Sequence, residues 1–213
     1  MRDAAELAAK GAPHGTVVAA ARQTRGIGRH GHTWHSEPDG GLYMSIILRL
    51  PGHGPEVTLA LGLAVQEAVS DFASTDLRWP NDVMLNHRKL AGILVQTQSG
   101  ALIAGIGINV NQIAFPDDLN GVATSLRIET GLEIPMDSVL DRVLAESLRY
   151  TGKTKPEILR LFDERSTYAR GKAVEVDGRY KGVTAGLDPN GFLTVRTATG
   201  IETVLAGGVR EIS

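Results

Sequence analysis

Between Leu77 and Asn109 the chain alternates short apolar runs with turns too tight to hold a helix. Leu77–Trp79, Val83–Leu85, Leu90–Thr97 and Ala101–Asn109 read as strands, separated by turns at Asn86–Arg88 and Ser99–Gly100. Connections this short return each strand antiparallel beside its predecessor, since parallel neighbours need a crossover of a dozen or more residues. A largely antiparallel sheet is therefore the frame on which everything else must pack.

The flanking segments fit around that frame. Ala4, Ala5, Leu7 and Ala8 predict a first helix that stops at Gly11 and Pro13. Thr16–Arg22 and Leu42–Leu48 predict two more strands, the second apolar enough to be buried on both faces. After Pro55, the spacing of Leu61, Ala64, Val65, Ala68, Val69 and Phe72 predicts an amphipathic helix laid on the sheet. Further helices are expected around Asp137–Tyr150 and from Pro156, where Ile158, Leu161 and Phe162 turn inward. From Gly171 the pattern changes to short β-rich stretches (AVEV, GVTAGL, FLTVRT, TVLAG) broken by Asp-Gly, Pro-Asn-Gly and Thr-Gly turns. This predicts an α+β chain: a mixed, largely antiparallel sheet with helices over residues 1–168, then a small β-barrel over 169–213.

Composition excludes several chemistries. The absence of cysteine removes disulfides, zinc–thiolate sites and cysteine nucleophiles. A formal charge of −2 argues against nucleic-acid binding driven by phosphate neutralisation. No apolar run approaches the ~18 residues of a membrane span, and the N-terminus lacks a signal-peptide core, so a cytoplasmic protein without a membrane partner is expected.

Chemistry concentrates at three stations. The first, RQTRGIGRHGHTWHSEPDGG (Arg22–Gly41), contains a literal G-x-G-x-x-G at Gly26, Gly28 and Gly31. No helical period follows it, so a dinucleotide-binding turn is rejected. Arg22, Arg25, Arg29, His30 and His32 crowd this loop and suggest a local anion site on a mildly acidic body. The second station is RWPND (Arg78–Asp82) with KLAGIL (Lys89–Leu94), and the third is GIGINVN (Gly105–Asn111). Glycines there let backbone amides approach an anionic ligand. Arg29 and Lys89 supply positive charge, with charge-assisted bonds worth about 1.5–3 kcal/mol each. Asp82 is the natural partner of a magnesium ion or of Lys89, and Trp34 offers a flat face to a nucleobase. Each residue alone has a plainer reading: a solvated arginine, a hairpin lysine, a turn-forming aspartate, a core tryptophan, glycines relieving crowding. His30, His32 and His35 lack the cysteines or paired carboxylates that would support a metal site.

Taken in order, R-Q-T-x-G-x-G-R-x-G-x-x-W, G-L-Y-x-S, W-P-N-D, K-L-A-G-I-L and G-I-G-I-N-V-N resemble the catalytic domain of biotin–protein ligases, and the resemblance extends through the small C-terminal domain. It implies a class II synthetase-like catalytic fold (the biotin–lipoate ligase domain), an SH3-like C-terminal barrel, and a two-step reaction. Biotin and Mg-ATP form biotinyl-5′-adenylate, and a lysine of a carboxylase's biotin carboxyl carrier domain takes the biotinyl group. By the same resemblance, Gln23, Gly26, Gly28, Arg29, Lys89, Gly92 and Gly105 face biotin. Trp34, Arg78, Asn81 and Asn109 serve ATP, while Arg29, Lys89 and Asp82 carry the catalysis, Asp82 also being the candidate magnesium ligand. Family members usually carry arginine where Ile27 and His32 stand, lysine where Arg78 stands, and a Ser-Thr-Asn turn on a strand ahead of the first helix. The resemblance covers no winged-helix segment, so a monofunctional ligase without a DNA role is expected, with homodimerisation through strand edges left open. Two other readings stand beside it: a ligase for lipoate or another acyl acid on the same scaffold, and a non-catalytic protein that binds biotin or nucleotide.

Overall fold

The structure, a computed structural model, describes residues 1–205 and 207–212. Ala206 and Ser213, both in the expected C-terminal unit, and the side chain of His30 lie outside the described residues. The sequence signals resolve as α1 (Arg2–Ala9), β1 (Val17–Ala20), β2 (Gly41–Leu48), α2 (Glu56–Ala68), β3 (Asp76–Arg78), β4 (Asp82–Leu85), β5 (Arg88–Gln98) and β6 (Ala101–Asn109). They continue as α3 (Leu126–Thr130), α4 (Met136–Thr151), α5 (Lys155–Arg165) and β7 (Arg170–Val176). The last four strands are β8 (Tyr180–Leu187), β9 (Leu193–Thr197), β10 (Gly200–Val204) and β11 (Val209–Glu211).

The first sheet has the order β1-β2-β6-β5-β4-β3, and every pairing in it is antiparallel. Its hairpins turn on residues that accept a left-handed backbone: Asn86 and His87 have φ of 48° and 62°, and Ser99 and Gly100 have 52° and 68°. These are the φ > 0 pairs that match strand twist in a two-residue hairpin loop.

Strand β2 is buried along its whole length because it separates two apolar layers. Leu42, Met44, Ile46 and Leu48 join the main core with α2, α4 and α5, while Ile47 joins Ala4, Ala5 and Ala8 of α1 on the opposite face. Helix α2 is not the one-faced helix its spacing suggested. Val57, Leu59, Ala60, Leu61, Leu63, Ala64, Val65 and Ala68 are all buried, since α4 and α5 cover the side turned away from the sheet. It also ends at Ala68, so Phe72 reaches the core from the following turn.

The C-terminal strands form a separate antiparallel sheet, β10-β9-β8-β7-β11. Its edge strands β10 and β11 do not pair with each other among the described residues, so the barrel expected there is present as an open five-stranded sheet. Val174, Val176, Leu193, Val195 and Val204 from this sheet merge with the main core. Trp79 pins the junction: its buried indole N–H donates to the Gly191 carbonyl at 3.0 Å. Trp79→Phe would strand that carbonyl, and urea unfolding is expected to show a loss of about 1–3 kcal/mol. Unaltered stability would mean the bond contributes nothing to docking the second sheet. No described helix is long and apolar enough to cross a membrane.

Candidate functional site

The site is built on the sheet face that carries α1, and an irregularity in one strand puts it there. Along β4 and β5, Asp82 pairs with Gly92 and Val83 with Ala91, but Met84 then pairs with Lys89, so Leu90 is an extra residue. Leu90 and Ala91 both point into the main core. In a regular strand, residues three apart face opposite ways. This bulge restores the phase, as bulges do when they re-aim a side chain, and brings Lys89, Gly92 and Asp82 onto one face.

There Asp82 is held between two cations. Its Oδ1 lies 2.6 Å from Lys89 Nζ and its Oδ2 2.6 Å from Arg78 Nη2. All three are partly shielded, with Asp82 the most buried at 14% side-chain exposure. Asp82, the candidate magnesium ligand, thus has both carboxylate oxygens paired to cations, and no group of three acidic or histidine ligands that could hold a metal occurs among the described residues.

Gly92 pairs with Gly107 across β5 and β6, and the indole of Trp34 lies on both. A Cβ on Gly107 would come within 2.7 Å of Trp34 Cε2, and one on Gly92 within 2.9 Å of Trp34 Cζ3. Lys89 Nζ stands 5.4 Å from the same ring's centroid, close enough for a cation–π attraction. Gly105 continues this bare floor beneath the side chain of Met1. Beyond it, Leu94, Ile103, Ala5 and Ile27 line a hollow of about 450 Å³.

The glycine loop folds on itself as a miniature hairpin. Trp34 N–H donates to the Gly26 carbonyl at 3.0 Å, Gly28 N–H donates to the His32 carbonyl at 2.7 Å, and Ile27 bridges Thr33. A single 3₁₀ turn, Arg29–Gly31, forms its tip, with Gly31 at φ 77°. Gly26 is buried where a side chain would strike Gln23 Oε1. The G-x-G-x-x-G spacing thus serves close packing and a reversed backbone within the loop, and no α-helix opens on it. The expected crowd of basic residues is mostly turned outward: Arg22, Arg25 and His32 are exposed. Arg29 alone of the loop arginines reaches inward, its Nη1 donating to Asn81 Oδ1 at 3.2 Å. Burial pulls its guanidinium below the ordinary value, against the opposing fields of Asp82 and Asp177. It shares a cleft of about 190 Å³ with Trp79 and Asn81 of the β3–β4 turn and Phe192 and Leu205 of the C-terminal unit.

Two of the buried side-chain polar atoms that lack a hydrogen-bond partner among the described residues lie at this site. Gln23 Oε1 and Trp34 Nε1 are buried without a partner. Such groups cost roughly 1–3 kcal/mol each when left unsatisfied. Asn109, expected on the ATP side, lies beneath the strand that carries Lys89. It is buried, its Nδ2 donating to the carbonyls of Thr124 at 3.0 Å and Lys89 at 3.4 Å while its Oδ1 accepts from Gln112. Asn109 therefore supports the strand that carries Lys89. Sequence reading missed α3 altogether, though Ser125, which accepts from Ile128 N–H at 3.0 Å, and Gly131 at φ 73° are ordinary start and stop signals.

Residues 3–112 match the profile of the biotin/lipoate A/B protein ligase family. The chain is 36% identical to the bifunctional ligase/repressor BirA of Bacillus spizizenii, over 98% of this chain and 70% of that one. It is 34% identical to the biotin–[acetyl-CoA-carboxylase] ligase of Mycobacterium tuberculosis, over 62% and 52% of the two chains. The solved structure of biotin protein ligase from Aquifex aeolicus in complex with biotin and ATP superposes with a TM-score of 0.85 at 33% identity, over 94% of this chain and 90% of that one.

Proposed function

The chain belongs to the biotin/lipoate A/B protein ligase family, and from that premise we infer that it is a biotin–protein ligase whose reaction centre is the face carrying Lys89, Asp82 and the glycine floor. The observation that supports this most is the bulge that brings Lys89 and Gly92 to the same side. A carboxylic acid laid on bare backbone would meet the lysine that must neutralise it.

The first step brings two anions together. A biotin carboxylate oxygen attacks the α-phosphorus of ATP, a C(O)O–P bond forms, the bond to the β-phosphate breaks, and pyrophosphate leaves. Fixed cations lower this barrier by electrostatic preorganisation. Lys89 would meet the carboxylate and α-phosphate, and Arg29, held by Asn81, the phosphate chain. Asp82 would keep Lys89 aimed and Arg78 beside it. Magnesium would enter with ATP, as the Mg-ATP substrate, with Asp82 the side chain nearest to serve it. In the second step the ε-amine of a lysine on a carboxylase's carrier domain attacks the mixed anhydride, forms the amide and releases AMP and a proton.

Gln23, Gly26, Gly28, Gly92 and Gly105 would bound the biotin site, with the orphaned Gln23 Oε1 available to a donor on the ligand. Trp34 would leave the floor when biotin binds and stack on adenine. Residues 1–168 would form the catalytic unit and 169–213 an SH3-like unit that borders the cleft through Phe192 and Leu205.

Exchange of labelled pyrophosphate into ATP, driven in parallel by biotin, lipoate and octanoate, tests the assignment. Exchange with biotin alone is expected. Exchange with lipoate instead would move the chain to the other branch of the family, and binding without exchange would make it a non-catalytic relative.

A further inference from the structure

Beside the strand that carries Lys89 stands a largely shielded carboxylate that the proposed chemistry does not use. Glu129, in α3, is 9% exposed at its side chain. It accepts from Arg88 Nη2 at 2.5 Å, from Asn86 Nδ2 at 2.6 Å and from the Thr124 hydroxyl. These three donors surround Lys89 in a specific way. Arg88 precedes it in the strand, Asn86 occupies the hairpin turn leading to it, and Thr124 is bonded to its backbone. Lys89 N–H donates to the Val122 carbonyl at 2.8 Å, and Thr124 N–H donates to the Lys89 carbonyl at 3.0 Å, a short parallel bridge to the loop ahead of α3. One carboxylate thus ties together both chain segments that fix the Lys89 backbone.

We propose that Glu129 is the positioning residue for Lys89, clamping the β4–β5 turn through Asn86 and Arg88 and the 122–124 bridge through Thr124 so that the ammonium group stays over the glycine floor. The proposal rests on the assignment of Lys89 to the adenylation step. Glu129 stays ionised for this work: burial pushes its carboxyl up, but the bonds from Thr124 and Asn86 and the charge and bonding of Arg88 more than reverse this and hold it below the ordinary glutamate value.

Glu129 touches no reacting atom, so its effect should appear in kcat and not in substrate affinity. Glu129→Gln keeps the side chain's size but replaces one acceptor oxygen with a donor, facing the N–H donors of Arg88 and Asn86. At saturating biotin and ATP the exchange rate is expected to fall about 10-fold, with the biotin KM changed less than about 3-fold, because sub-ångström misplacement of a charge is costly in rate. The double-mutant cycle with Lys89→Ala supplies the reading that mere destabilisation would not: on the Lys89→Ala background, Glu129→Gln should add no further loss of rate. Thr124→Val, which removes one donor and leaves Arg88 and Asn86 in place, carries the same cycle if Glu129→Gln does not fold. An unchanged kcat in these variants, or a loss that persists in full on the Lys89→Ala background, overturns the proposal. Lys89→Ala measured alone reports separately on the assignment beneath it: if that variant keeps its rate, the assignment falls first.

Discussion

Replacing Lys89 with alanine is expected to lower biotin-dependent exchange of pyrophosphate into ATP by about 10²–10³-fold, the range seen when one preorganised donor is removed from a developing charge. The argument runs through charge and not through fold. Lys89 is one of two cations on Asp82, and Arg78 stays 2.6 Å from the other oxygen of that carboxylate when the lysine is gone. Asp82 would therefore remain paired, and the variant should unfold at nearly the same urea concentration as the parent. What it loses is the only lysine ammonium facing the glycine floor among the described residues. Lys89→Arg should not restore the rate. The guanidinium is a larger, planar group, and the space above Gly92 is already within 3.2 Å of Lys89 Nζ where a Cβ would stand. A rate unchanged by alanine, or restored by arginine, would remove Lys89 from the adenylation step.

How much of this was legible beforehand depends on the range over which each feature is decided. The strands from Asp76 to Asn109 were legible because Asn86-His87 and Ser99-Gly100 are local signals for tight hairpins, and antiparallel order follows from loop length alone. The bulge at Leu90 was not. Two consecutive apolar residues after Lys89 are compatible with a regular strand, and only the pairing partner fixes which one is extra. The full burial of α2 was hidden for a related reason, since spacing reports a helix's apolar face but not what covers its back. The same limit applies to the arginines of the glycine loop. Their charge was plain, yet it takes the folded hairpin to turn Arg29 inward to Asn81 and leave Arg22 and Arg25 in solvent. Residues matched by motif alone, such as Asn109, arrived with a chemistry but no orientation, and the structure gives Asn109 a place under the Lys89 strand.

Gly92→Ala should separate binding from stability more cleanly than any change to a charged group. A glycine inside a strand is ordinarily a weakness, since it has no side chain to pack and loses more entropy on folding. Here the added methyl would meet the edge of the Trp34 ring at 2.9 Å and the end of the Lys89 side chain at 3.1–3.2 Å. Both neighbours are side chains that can shift, so the empty protein should lose little stability and could gain some from the strand itself. A ligand resting on the floor has no such freedom. The methyl would occupy the surface that biotin is proposed to touch, and overpacking of this kind costs about 1–3 kcal/mol, or roughly 5- to 150-fold in affinity. Calorimetry should therefore show biotin binding weakened by that factor while urea unfolding of the unliganded protein stays within about 0.5 kcal/mol of the parent. The opposite pattern, intact affinity with a destabilised protein, would mean that Gly92 is glycine for the sake of Trp34 packing and that biotin lies elsewhere on the sheet.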